Sequence, residues 1–241
     1  LLITMDPNAV GRMSCNPAIG GLAKGQIVRE IDVLGGLMAS LADKAGLQFK
    51  TLNKKKGRAV WSPRAQIDKR YYEKLVVKTL AASNVVVLSG EVVSLVYNGT
   101  AIDGVTLRDD TKIKCKSVIV TAGTFLSGVI HIGERKIYAG RMGEERSEGL
   151  TEHLVSMGFR SGRLKTGTPP RLAKDTIDWG KMNLTLGDKN PTPFSYSTDN
   201  FSPPNEPCFT TNSNSLSHDV IQDNLEKSPM FSGEIDGIGP R

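Results

Sequence analysis

The most constraining feature of the chain is the stretch Ser117-Val118-Ile119-Val120-Thr121-Ala122-Gly123-Thr124, read together with what precedes it. Its hydrophobicity is continuous rather than alternating, which predicts a strand buried on both faces, as in a parallel sheet. Upstream, Ile67, Tyr71, Leu75 and Tyr72, Val76, Leu80 recur at helical spacing and predict a helix from Arg64 to about Ala82, with Ser62-Pro63 as its start signal. Strands are then expected from Val85 to Leu88, Val92 to Tyr97, Ile102 to Leu107 and Lys112 to Cys115, with Asn98-Gly99 and Asp109-Asp110 at the turns. A long helix, a strand, a three-stranded meander and a buried strand in that order predict an α/β fold. In such sheets ligands sit at the carboxyl ends of the strands.

The flanking segments are read in the same way. Leu1 to Thr4 has the character of a buried strand end. Asn16 can cap a helix whose first turn begins with Pro17, and Gly20 and Gly21 allow close approach of a backbone or a ligand. A helix from about Leu22 to Leu34 is expected to stop at Gly35-Gly36. Beyond Gly149 we expect a helix to about Gly158, a strand near Arg160 to Lys165, a long ordered loop over residues 187–207 and a short helix from Leu216 to Leu225. The sequence begins Leu1-Leu2-Ile3-Thr4 without a methionine and stops at Gly239-Pro240-Arg241, so an internal piece of a longer protein is expected.

Of the 241 residues, 39% are hydrophobic and 23% charged, enough for a packed core. No run of eighteen apolar residues occurs, and no secretory signal opens the chain, which disfavours a membrane span and export. The net charge of +6 is unevenly placed. Lys54, Lys55, Lys56, Arg58 and Arg64 fall in one acid-free segment, and Arg160, Arg163, Lys165, Arg171 and Lys174 in another. Such segments suit a polyanion such as RNA, or are solvated surface loops; the sequence leaves both open.

Cys15, Cys115 and Cys208 are too scattered for a disulfide framework, and His131, His153 and His218 lack ligand spacing, so neither structural zinc nor another metal is expected. A reducing compartment fits. Cys15 stands before a possible helix start, where a thiolate would be stabilised, or is a small buried residue. Cys115 and Cys208 read as structural. Thr166-Gly167-Thr168-Pro169-Pro170-Arg171 could hold a phosphate or ribose, or be a rigid turn. His218-Asp219 with Asn212, Asn214 and Ser217 reads as a capped helix N-terminus or as pocket residues. A G-x-G-x-x-G fingerprint is absent.

The element order resembles the latter half of the FAD domain of two-dinucleotide-binding flavoproteins. More specifically, Met13-Ser14-Cys15-Asn16-Pro17-Ala18-Ile19-Gly20-Gly21, Arg29 to Met38, Arg64-Ala65-Gln66 and Gly162 to Arg171 resemble the MnmG family, also called GidA. The resemblance implies an α/β, Rossmann-like two-dinucleotide-binding flavoprotein fold, incomplete here, with inserted α/β segments. Residues 1–21 and 84–150 would belong to the FAD domain, 22–83 to an inserted helical segment, and 151–241 to a second, truncated insertion on the NADH and substrate side.

It also implies FAD-dependent addition of an aminomethyl or carboxymethylaminomethyl group to C5 of the wobble uridine of tRNA. Methylenetetrahydrofolate would supply the carbon, NADH the electrons, and glycine or ammonium the amine. The GTPase MnmE would be the partner of a homodimer, as a heterotetramer, in bacterial cytoplasm or in mitochondria if the source is eukaryotic. By motif, Cys15 is expected to be catalytic. Asn16, Pro17, Ala18, Gly20, Gly21, Val92, Thr121, Gly123, Thr124 and Ser147 are expected to border FAD, and Gly237, Ile238, Gly239, Pro240 and Arg241 to meet NADH. Lys54, Lys55, Lys56, Arg58, Arg163, Lys165 and Arg171 would face tRNA. The family's pyrophosphate loop, its second proposed cysteine and its carboxy-terminal domain lie outside this sequence, so the chain alone is expected to be inactive and to bind FAD weakly or not at all. The alternatives are a folate- and FAD-dependent tRNA uridine-5-methyltransferase and a non-catalytic RNA-binding module.

Overall fold

The structure, a computed structural model, describes residues 1–13 and 16–235. The first half holds β1 (Leu2–Thr4), β2 (Ala18–Gly20), α1 (Lys24–Val33), α2 (Leu37–Ala45), β3 (Gly46–Leu52), β4 (Ser62–Ile67), α3 (Lys69–Ala81) and β5 (Val87–Ser89). Then come β6 (Val92–Tyr97), β7 (Ile102–Leu107), β8 (Lys112–Lys114), β9 (Ile130–Ile132) and β10 (Arg135–Ile137). The chain continues through α4 (Leu150–Ser156), β11 (Asn183–Thr185), β12 (Cys208–Thr210) and α5 (Ser215–Gln222).

These elements form two units. One comprises Leu1–Pro7, Val86–Gly167 and Ser213–Arg241; the other comprises Asn8–Val85 and Thr168–Asn212. Residues 8–21 and 168–212 join the segment expected to be a helical insertion, and that unit contains a sheet of its own.

In the first unit β1 pairs with β5 in parallel, Leu2 opposite Val87. The meander β6-β7-β8 is antiparallel, with Val105 and Leu107 of β7 buried. The expected buried strand over Ser117 to Thr124 is not formed. No strand of the described residues pairs with it, and Ile119 is 87% exposed. A strand exists only where a neighbour takes its backbone N–H and C=O groups, so apolar continuity here marks a segment without a sheet partner among the described residues. Arg160 to Lys165 likewise forms no strand.

In the second unit β4 is the centre of an antiparallel sheet, β2-β4-β3. Ala65 and Ile67 of β4 and Phe49 of β3 are buried in one core with Val28 of α1, Ala39, Leu41 and Ala42 of α2, and Tyr72 of α3. Two expectations are corrected here. Asn16-Pro17 does not begin a helix, because the Pro17 carbonyl accepts from Ile67 N at 2.7 Å and the chain runs on as β2. Nor does a helix start at Ser62-Pro63. Residues 62–67 form strand β4, and α3 begins at Lys69, capped by Asp68, whose carboxylate accepts from Arg70 N and Tyr71 N at 3.0 Å. Helix α1 does end at Gly35-Gly36, where Gly35 has φ +86° and Gly36 N reaches back to the Ile31 carbonyl at 2.9 Å.

The long loop 187–207 is ordered by two carboxylates. Asp43 of α2 accepts from Phe194 N at 2.7 Å, Ser195 N at 2.9 Å and Thr198 Oγ1 at 2.7 Å. Asp32 of α1 accepts from Ser195 Oγ at 2.7 Å and Tyr196 N at 2.9 Å. Held this way, Phe194 is 1% exposed, and Phe201 meets Phe49 edge-on with centroids 4.8 Å apart. Burial pushes the Asp43 carboxyl above its ordinary range, against the downward pull of its three donors.

Replacing Asp43 with Ala leaves two buried N–H groups without an acceptor. Urea unfolding followed by Trp61 and Trp179, both in this unit, is expected to show a loss of about 2–5 kcal/mol. Unchanged stability would mean the loop is held otherwise.

Candidate functional site

In the first unit the site grows from one strand pairing. Val92 of β6 stands opposite Leu107 of β7, which places Glu91 beside Arg108 just beyond the paired ends. Arg108 N donates to the Glu91 carbonyl at 2.9 Å, and its guanidinium grips the carboxylate through Nε and through Nη2 at 2.6 Å. Glu91 Oε1 also accepts from Glu148 N at 3.0 Å. The Arg108 hydrogen bonds draw the Glu91 pKa below its ordinary value; partial burial opposes this, and the Glu148 N–H and Ser147 hydroxyl reinforce it.

Next to Glu148, Ser147 is 8% exposed; its N–H donates to the Phe125 carbonyl at 2.9 Å, and its own carbonyl accepts from Ser127 N at 2.8 Å. Thr124 Oγ1 donates to the Gly140 carbonyl at 3.3 Å. Val92 thus adjoins Glu91, whose carboxylate holds Glu148 N, and Ser147 is bonded to the turn that follows Thr124. Thr121 and Gly123 precede it on the exposed stretch. Gly123 has φ +61°, and no atom lies within 4 Å of where its Cβ would sit. An exposed, left-handed glycine with open space beside it suits close approach by a dinucleotide, so these residues fit the group.

Asn16, Pro17, Ala18, Gly20 and Gly21 lie in the second unit. The close approach at Gly20 is made by the protein itself, since a Cβ there would stand 2.3 Å from the Pro63 carbonyl oxygen and 2.5 Å from the Phe194 ring. Gly21 is open, with Arg64 Nη1 nearest at 3.8 Å. Cys15 and residues Gly237, Ile238, Gly239, Pro240 and Arg241 lie outside the described residues. Among the described residues no cluster of His, Cys, Asp and Glu could hold a metal, and no helix is long and apolar enough to cross a membrane.

Lys54, Lys55 and Lys56 form an exposed 3-10 turn between β3 and β4, followed by Arg58. The turn is braced by Trp61 Nε1 on the Lys54 carbonyl at 3.2 Å, with Arg58 stacked 5.7 Å above the Trp61 ring. Lys54 is engaged by Asp188 at 2.8 Å. Arg171 is exposed in the same unit, on its other segment. Arg163 and Lys165 lie in the first unit, where Arg163 Nη2 donates to the Ser127 carbonyl at 3.1 Å. The structure thus gathers Lys54, Lys55, Lys56 and Arg58 on one loop and does not place Arg163 and Lys165 on the same unit. Of the acids that organise the two units, Asp32 falls within the Arg29 to Met38 stretch without being singled out there, and Glu91 and Asp43 carry no motif signal.

Fold and site define the class: an α/β protein of the dinucleotide-binding type, with a parallel strand pair, an antiparallel meander and an open glycine after it. A family model described as glucose inhibited division protein A matches residues 1–241, and the chain belongs to that family. It is 47% identical to the tRNA uridine 5-carboxymethylaminomethyl modification enzyme MnmG of Syntrophotalea carbinolica and 46% identical to the protein of the same name from Thermodesulfovibrio yellowstonii. Each match takes in 100% of this chain and 39% of the relative, so the chain spans about two fifths of the curated relatives' length. The crystal structure of Aquifex aeolicus GidA superposes with a TM-score of 0.88 at 42% identity, over 99% of this chain and 41% of that one.

The Glu91 network carries a pH signature. A carboxylate with a depressed folded pKa stabilises the fold fully above its unfolded value, near 4.5, and loses that contribution as pH falls through the folded value. Glu91→Gln is expected to destabilise the first unit at pH 7, with the difference from wild type shrinking below pH 4.5, as read by hydrogen exchange of the β6 and β7 amides. A deficit independent of pH would contradict the ionic role.

Proposed function

We propose that this chain is part of an FAD-dependent enzyme that adds an aminomethyl-type group to C5 of the wobble uridine in tRNA. The observation that carries the reading is similarity along the whole chain to proteins named for that modification. Val92, Thr121, Gly123, Thr124 and Ser147 hold the flavin on the first unit. When bound, the flavin supplies two-electron transfer. NADH is the reductant, bound through Gly237, Ile238, Gly239, Pro240 and Arg241, and methylenetetrahydrofolate is the carbon donor.

Cys15 acts on the substrate. Its thiolate forms a bond to C6 of uracil, and the C5=C6 electron pair moves toward O4, leaving C5 nucleophilic. After substitution C5 loses its proton, the electrons return and the thiolate departs. Lys55, Lys56, Arg58 and Arg171 attract tRNA phosphates, as do Arg163 and Lys165; Lys54 contributes less because Asp188 already holds it. MnmE is the partner of a homodimer, and the setting is cytoplasmic.

The test is a segment exchange. This chain replaces the matching segment of the Syntrophotalea carbinolica enzyme, and tRNA from cells relying on the hybrid is digested and its nucleosides weighed. A nitrogen-bearing adduct at the wobble uridine is expected, lost on Cys15→Ser with flavin content unchanged. A plain methyl product would favour the methyltransferase reading, and an unmodified uridine with a folded, colourless hybrid would overturn the proposal.

A further inference from the structure

The sheet of the second unit has one face in the core and one outside it. On the core face lie Phe49, Ala65 and Ile67. On the other, Gln48 pairs across the strands with Gln66, and Lys50 with Arg64. Directly opposed side chains on antiparallel strands stand with their Cβ atoms about 5 Å apart, where like charges repel. Lys50 and Arg64 nevertheless have no carboxylate partner among the described residues. The acid lining the neighbouring cleft, Asp188, is taken by Lys54 at 2.8 Å and by Thr51 N at 2.9 Å.

These four residues, with Leu52 and Cys208, line a cavity of about 200 Å³. Its floor is fixed. Gln48 is 5% exposed, and its Nε2 donates to the carbonyls of Thr185 at 3.1 Å and Glu206 at 2.7 Å. Gln66 Oε1 is buried and without a hydrogen-bond partner, an acceptor that wants a donor.

We infer that this cavity is a subsite for a phosphate-bearing ligand whose phosphate lies between Lys50 and Arg64 and whose neighbouring hydroxyl or N–H donates to Gln66 Oε1. Two opposed cations supply the charge a phosphate needs, with the planar guanidinium able to bind it through two N–H groups. The orphan acceptor selects against a bare, fully ionised anion, because only a ligand with a donor satisfies it. The volume admits a phosphate with an attached hydroxyl-bearing carbon fragment. A sugar phosphate and a phosphate of an RNA strand share this chemistry. The site lies within one unit and its test reads binding alone, so it stands or falls separately from the uridine-modification reading.

Ligation should quench the repulsion and stabilise this unit by mass action. Melting is followed by tryptophan fluorescence, since both tryptophans, Trp61 and Trp179, lie in the unit. The probes are inorganic phosphate, ribose 5-phosphate, a short RNA oligonucleotide, and sodium chloride at matched ionic strength. Ribose 5-phosphate or the oligonucleotide is expected to raise the melting temperature more than inorganic phosphate does, and chloride to leave it unchanged. A response to ribose 5-phosphate identifies a free sugar phosphate as sufficient; a response to the oligonucleotide alone identifies an RNA phosphate. Lys50→Met and Arg64→Met should each melt at or above wild type without ligand, because a repulsion is removed, and lose the ligand-induced shift. The inference is overturned if no phosphate probe shifts the transition, if chloride or inorganic phosphate does so equally, if both variants keep the full shift, or if both melt well below wild type.

Discussion

The second unit depends on two carboxylates reaching from adjacent helices to one stretch of irregular backbone. Asp32 and Asp43 between them accept from three consecutive main-chain N–H groups, of Phe194, Ser195 and Tyr196, and from two hydroxyls. A loop carries backbone donors that no ladder satisfies, and burying it without acceptors would cost more than the packing of one phenylalanine returns. With the acceptors in place, Phe194 can close the core over β3 and β4, and the chain continues from there to β12. The same loop also lies along edge strand β3, where Asp188 N donates to the Phe49 carbonyl at 2.8 Å and Glu206 N to the Leu47 carbonyl at 2.9 Å. That cover fixes β3 and with it the positions of Gln48 and Lys50.

The first unit repeats the device on a smaller scale. Glu91 sits where the β6-β7 pair ends and binds both Arg108 of the meander and the backbone before α4. It thereby sets Ser147 against the turn after Thr124. In both units a carboxylate holds irregular backbone in place, from within helices α1 and α2 in the second unit and from just before β6 in the first.

Much of this was legible in the sequence. The meander strands β6 and β7 begin and end where alternation and turn residues put them, α1 stops at its glycine pair, and Asn214 caps α5 by accepting from Ser217 N at 3.0 Å. The errors share a cause. Residues 64–67 read as helix because Ile67 also suits the helical spacing of α3, and the period of two that assigns them to a strand spans only Ala65 and Ile67. Ser117 to Thr124 read as a buried strand because apolar continuity reports what a segment could bury, not whether a partner strand lies beside it. The carboxylate contacts of Asp32 and Asp43 were invisible because they join residues more than a hundred and fifty positions apart. The like-charged pair of Lys50 and Arg64 becomes visible only once the register of β3 and β4 is known.

Hydrogen exchange at the amides of Phe194, Ser195 and Tyr196 tests the central claim most directly. These N–H groups lie in no helix or strand, yet the carboxylate clamp predicts that they exchange as slowly as the amides of α2. Exchange at the rate of the exposed 54–58 turn would show that the loop is not held by Asp32 and Asp43, and the arrangement of the sheet face built on it would fall with it.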